Sequence, residues 1–358
     1  MPNRRDFLKQ AGKGSLVAAA TGAGLSSFGS NEASAAETTP KHLKLIIRGD
    51  DVGYSEVCNI GTFKAVDQGP VTSLDVMFDC PGTIDALERL RKRPWLSIGW
   101  HNHCWGKPIL SSEKVPSLVG KDGHFKWSVR DGTALVGDGM KKREEAVKLE
   151  DQVNYDEVVA EFRAQMQLCV VIVGRPPDTG GGMGGHSLVA KAAAQVAEEF
   201  RLKSGWFAHA PTNFTMNGAV FNYPAVPAKP EYRHLNIEMA SGMDSIGKYA
   251  FDPPGKFEEE RYDPMAGLRS DGDKFLEKEI LQMAFHPGFI DDYLATDGGI
   301  QFTMNRLRVL DAHFLCSQEL HEWLKEHHVE LINQRDALNG THEYQNHLKE
   351  AGSDLCMI

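Results

Sequence analysis

Between Leu43 and Trp100 the chain alternates short apolar runs with amphipathic segments, and that alternation limits the fold more than any other feature. Leu43 to Ile47 has the length and character of a buried strand. Ser55 to Gln68 has helical periodicity and stops at Gly69-Pro70. Val71 to Phe78 is a second strand, Thr83 to Lys92 a helix closed by Pro94, and Leu96 to Trp100 a third strand. Strands separated by crossover helices run parallel, so the expectation is a doubly wound sheet or a barrel, with its chemistry at the C-terminal ends of the strands.

The pattern resumes further on. Asp156 to Val173 places Val158, Val159, Phe162, Met166 and Leu168 on one helical face, His186 to Phe200 is Ala-rich and helical, and Leu281 to Phe285 is a short strand. In the tail, Leu307, Leu310, Phe314, Leu315, Leu320, Trp323 and Leu324 recur near helical spacing before a last strand at Val329 to Ile332. Residues 106–150 and 208–280 are rich in Gly, Pro and charge, and they read as long loops over the active face. No Pro/Gly/Ser linker or repeat divides the chain, so residues 36–358 read as one domain.

Residues 1–35 read as an address. Asn3-Arg4-Arg5-Asp6-Phe7-Leu8-Lys9 is a twin-arginine pattern, Gly14 to Phe28 is weakly apolar and too short to span a bilayer, and Ala33-Ser34-Ala35 is a plausible cleavage site. The expectation is export by the twin-arginine machinery to the periplasm or beyond. Removing this segment takes four of the 39 basic and two of the 49 acidic residues, leaving 35 against 47 and a formal charge of −12. Such a surface repels phosphate backbones, which disfavours nucleic-acid binding. No later stretch has the apolar length of a membrane anchor. The sequence leaves a homodimer open. Six cysteines, at 58, 80, 104, 169, 316 and 356, show neither metal-ribbon nor redox spacing and read mainly as small packing residues.

Four strand ends carry residues suited to metal chemistry: Asp50-Asp51, His101 and His103, His186 after a glycine-rich loop, and His286. An isolated Asp-Asp pair is often a solvated turn, and any one of fourteen histidines can reach a strand end by chance. Together they make a chemical set. One carboxylate with two imidazoles holds a divalent ion and leaves positions open on it, a second carboxylate supplies a general base, and a further histidine supplies an acid. Adjacent strand residues face opposite ways, so Asp50 and Asp51 reach one site only if the backbone turns there, as Gly49 and Gly53 permit.

Four stretches, in order, carry a family likeness: Leu45-Ile46-Ile47-Arg48-Gly49-Asp50-Asp51-Val52-Gly53, Gly69-Pro70-Val71-Thr72-Ser73, Ile98-Gly99-Trp100-His101 leading to Gly106-Lys107-Pro108-Ile109-Leu110, and Phe285-His286-Pro287-Gly288-Phe289. On these the chain resembles the YdjC-like carbohydrate deacetylases, relatives of chitooligosaccharide deacetylases. The resemblance implies a distorted (β/α) barrel that hydrolyses the N-acetyl group of an amino sugar or oligosaccharide with one divalent ion, magnesium or zinc. It implies Asp51, His101 and His186 as metal ligands, Asp50 as general base and His286 as general acid. The family usually has Ala-Asp-Asp-Phe-Gly at the first block, where this chain has Gly49-Asp50-Asp51-Val52-Gly53.

At the third ligand the match breaks. A family stretch of the type Pro-Thr-His-x-Asp-Ser-His is replaced by Pro177-Asp178-Thr179-Gly180-Gly181-Gly182-Met183-Gly184-Gly185-His186, so either His186 or Asp178 can be the ligand. His103, Trp105 and Asp178 are candidates for substrate contact. The same scaffold also accommodates another metal-dependent amide or phosphoester hydrolase, or a carbohydrate-binding protein that has lost turnover.

Overall fold

The computed structural model describes residues 42–102, 106–126, 152–180, 187–203, 212–216, 219–223, 237–239, 263–295 and 302–358. The leader expected at residues 1–35, and the candidates His103, Trp105 and His186, lie outside them.

Strand β1 (Lys44–Val52) is buried at every position except Lys44, as a strand covered on both faces must be. Helix α1 (Glu56–Gln68) starts where the Ser55 hydroxyl accepts the Cys58 N–H. Then come β2 (Ser73–Val76), α2 (Thr83–Arg91) and β3 (Ser97–Trp100). Helix α3 (Tyr155–Val173) is capped by Asn154, whose side chain accepts the N–H groups of Asp156 and Glu157, and it ends on a left-handed Gly174. Strand β4 (Thr179–Gly180) and helix α4 (Leu188–Glu199), capped by Ser187, follow.

The region 208–280, read from sequence as loop, contains regular structure. Strands β5 (Thr212–Met216) and β6 (Ala219–Tyr223) pair antiparallel, β7 (Ile237–Met239) joins the main sheet, and α5 (Pro264–Leu276) is a helix. Two signals were present and outweighed by composition. The Asn217-Gly218 pair between two β-prone runs is a strong hairpin marker, and Pro264 suits the first position of a helix. Residues 106–126 contain no helix or strand, only an isolated bridge from Val119 to Phe125.

After β8 (Ile280–Phe285) come α6 (Asp292–Ala295), α7 (Phe302–Leu315) and α8 (Gln318–Glu326). The apolar repeat of the tail is thus split between two helices at Ser317, whose hydroxyl caps α8. Strand β9 (Glu330–Leu331) leads to α9 (Gln334–Asn339), opened by a capping box of Asn333 and Asp336, and to α10 (Glu343–Glu350).

The main sheet has the order β4-β3-β2-β1-β8-β7, with β9 pairing the start of β1. Its pairings are all parallel. The sheet curls as a half-barrel under its helices, the α/β architecture of a distorted barrel. Parallel pairing has a direct consequence: the C-terminal ends of β1, β3 and β8 lie along one edge, so Asp50, Asp51, His101 and His286 reach the same place from distant parts of the chain.

Candidate active site

The first strand delivers its two acids through a bulge. Gly49 pairs with Leu74 and Val52 with Val76, so three steps on β1 match two on β2. Asp51 takes the extra turn in a left-handed conformation, φ +58°, which aspartate tolerates better than most residues. Sequence placed that freedom in Gly49 and Gly53. Gly53 does have φ +97°, but the deciding turn is made by Asp51 itself.

Both acids are buried and face the two histidines. Asp51 Oδ1 lies 3.2 Å from His101 Nε2, and Asp50 Oδ2 lies 3.9 Å from His286 Nε2. His101 follows β3 directly, its N–H donating to the Val76 carbonyl at 2.9 Å. His286 follows β8, and its backbone N–H donates to Asp311 Oδ2 at 2.7 Å.

Two buried arginines separate the acids electrostatically. Arg48 donates from Nε and Nη2 to the two oxygens of Asp50 at 2.6 and 2.7 Å. Arg308 donates from Nη2 to Asp51 Oδ2 at 2.6 Å and lies over the Tyr54 ring. Burial alone would raise both carboxyls. Arg48 and the histidines outweigh it at Asp50 and lower that group, while Arg308 and His101 hold Asp51 well below the usual carboxylate range. Asp75, on β2, lies 3.6 Å from Arg48 Nε and is pushed up by burial despite that arginine.

The histidines diverge. Burial disfavours a charged His101, but contact with Asp51 prevails and raises it. At His286 burial prevails over both carboxylates, and the imidazole falls to about 4. It is neutral at neutral pH.

The donor set suits a divalent ion. Asp51 Oδ1 is buried with no hydrogen-bond donor aligned on it among the described residues, and it faces an imidazole nitrogen. Two donors bound to one ion at ~2.0–2.2 Å stand roughly 3–3.5 Å apart, which is the spacing found here. Among the described residues no third His, Cys, Asp or Glu completes the group.

Asp178 stands elsewhere. Its carboxylate accepts from the Ile98 N–H at 2.7 Å, the Ser97 hydroxyl at 3.2 Å and Arg175 at 2.6 Å, at the level of the start of β3. Trp100 is core, packed edge-on against Phe162, with its indole N–H on Gln165. Arg48, Asp75, Arg308 and Asp311 had no role assigned from sequence. Arg48 precedes Asp50 by two residues on one strand, Asp75 is a lone charge in an apolar run, and Arg308 and Asp311 interrupt the apolar tail one helical turn apart.

A family model described as YdjC-like protein matches residues 44–326. The chain belongs to the YdjC-like family. A carbohydrate deacetylase of Enterococcus faecalis strain V583 is 26% identical over 298 residues, covering 81% of this chain and 96% of the relative. Carbohydrate deacetylase 2 of Listeria innocua is 23% identical over 302 residues, covering 82% and 98%. A chitooligosaccharide deacetylase of Yersinia enterocolitica is 29% identical over 134 residues, covering 37% and 46%. Among solved structures, a proposed cellobiose-phosphate cleavage protein of Enterococcus faecalis V583 superposes with a TM-score of 0.51 at 24% identity, covering 82% of this chain and 97% of that one. That likeness supports the YdjC-like fold and nothing narrower.

Proposed function

We propose that this YdjC-like chain is a metal-dependent hydrolase that removes the N-acetyl group from an amino sugar or oligosaccharide. The observation that carries the reading is the meeting of Asp50, Asp51, His101 and His286 at one sheet edge, with the two acids held by different partners. Asp51 and His101 would hold the ion, with His186 as the third ligand. When bound, a zinc or magnesium ion there polarises the acetamide carbonyl and lowers the pKa of the attacking water.

The chain's own groups manage the protons. Asp50, kept ionised by Arg48, accepts the proton of the attacking water as the C–O bond forms. His286, uncharged at rest, then receives that proton at Nε2 from the neighbouring Asp50 oxygen. It delivers the proton to the amine nitrogen as the C–N bond breaks, and the carboxyl's remaining proton passes to the released amine through solvent, so the products are acetate and the ammonium form of the amino sugar. We also infer export by the twin-arginine route, resting on Arg4-Arg5 and the apolar run after them.

Acetate release from N-acetylated mono- and oligosaccharides, assayed with zinc, magnesium, manganese and cobalt, tests the reading. Metal-dependent release from at least one of them is expected. No release from any substrate with any ion, by protein shown to be folded, would sink it.

A further inference from the structure

Arg48 is fully buried on the strand that carries Asp50, two residues ahead of it, and it places two donors on the two carboxylate oxygens. We propose that Arg48 is a positioning residue for the base: its planar fork fixes the orientation of the Asp50 carboxylate toward the water and toward His286. A carboxylate rotates about a broad, two-fold torsion, so the backbone alone does not fix its plane. Two donors in one rigid plane restrict that torsion to a single setting, which a lysine ammonium, a point charge, cannot do.

The grip leaves the base usable. An ionised carboxylate has about four acceptor positions, and the two contacts with Arg48 occupy one on each oxygen. Asp50 Oδ2, which accepts from Arg48 Nη2 at 2.7 Å, is also the oxygen 3.9 Å from His286 Nε2. The guanidinium is backed from β2 by Asp75, whose Oδ2 lies 3.6 Å from Arg48 Nε. Room for Asp75 comes from the neighbouring strand: a Cβ on Gly99 would stand 1.9 Å from Asp75 Oδ1, so a side chain there would displace that carboxylate. Removing one partner of a buried ion pair is destabilising whatever else the pair does, so what marks Arg48 is the direction of its fork, at the carboxylate proposed to take the proton.

The inference rests on Asp50 being the base, and the experiment separates the two. Arg48→Lys, Arg48→Ala and Asp50→Asn are compared in the full chain loaded with metal. Arg48→Lys is expected to keep metal affinity and to lose at least roughly tenfold in kcat with little change in KM, the signature of an interaction needed only in the transition state. Arg48→Ala should lose more, and millimolar guanidinium should restore at least part of its kcat where methylammonium does not. A high-resolution crystal structure of Arg48→Lys, which needs no turnover, should show the Asp50 carboxylate rotated or spread over several orientations.

Wild-type kcat in Arg48→Lys, absence of guanidinium rescue, or an unmoved Asp50 carboxylate overturns the proposal. Failure of both Arg48 variants to fold assigns the residue to stability and overturns it too. Full activity in Asp50→Asn sinks the assignment of the base, and the crystal structure then decides positioning by itself.

Discussion

Asp50 and Asp51 are neighbours with the same functional group, and their partners make them different. Asp51 has one oxygen on Arg308 and the other facing His101, whereas Asp50 has both oxygens on Arg48. Asp51→Ala and His101→Ala are therefore expected to weaken metal binding together with activity. Asp50→Asn should keep the ion and lose about a hundredfold or more in turnover, the scale of general base catalysis. Calorimetric metal titration of the three variants checks this, and loss of metal by Asp50→Asn alone would exchange the roles of the two acids. His286→Ala should retain metal and lose far more on unactivated amides than on acetyl esters with good leaving groups, because an amine must be protonated to leave and a phenolate need not. Equal losses on the two substrate types would remove His286 from the acid role.

Two helices hold the site at the level of elements. Helix α7 sends Arg308 to Asp51 and Asp311 to the backbone of His286 from successive turns, and the Arg308 carbonyl accepts the Gly288 N–H. Helix α1 presses on the same His286 segment. Thr62 donates its hydroxyl to the Pro287 carbonyl, and a Cβ on Gly61 would come within 2.5 Å of the Gly288 carbonyl carbon and the Phe289 nitrogen. Gly61→Ala improves intrinsic helix propensity by about 1 kcal/mol. It should nonetheless destabilise the protein by roughly 1–3 kcal/mol, because backbone rather than a flexible side chain must move. Turnover should fall with it as His286 shifts. Urea unfolding and kcat provide the check, and a more stable, fully active Gly61→Ala would show that the segment yields easily.

For the whole molecule, pH acts through a buried carboxyl outside the site. Glu161, on α3, accepts the backbone N–H groups of Ile109 and Leu110 and the Gln165 amide, joining α3 to the segment that follows β3. Burial raises it from an ordinary 4.5 to about 7 despite those three donors. Between these values the folded state binds more protons than the unfolded state, so this group's contribution to stability declines as pH rises from about 4.5 to 7. A shift of that size corresponds to roughly 3 kcal/mol. Glu161→Gln cannot titrate. The stability of the wild type relative to this variant should therefore fall across that window and level off above it, as read by urea unfolding at a series of pH values. A difference independent of pH would show that Glu161 stays ionised when buried.

The sequence by itself determined the parallel α/β architecture, because apolar runs separated by amphipathic helices leave no other pairing for strands near Leu45, Leu74 and Ile98. It also singled out Asp50, Asp51, His101 and His286, since each ends or follows a strand and parallel strands finish on one edge. The hairpin at Thr212–Tyr223 and the helix from Pro264 were legible only in local signals that the surrounding polar composition masked. Tertiary structure alone decided what distinguishes the two acids. Arg308 lies 257 residues from Asp51 and Asp75 lies on the neighbouring strand, and no local periodicity encodes which carboxylate a distant guanidinium will meet. The left-handed turn at Asp51 belongs to the same class. It follows from a register mismatch between β1 and β2, a property of two strands packed together rather than of either one.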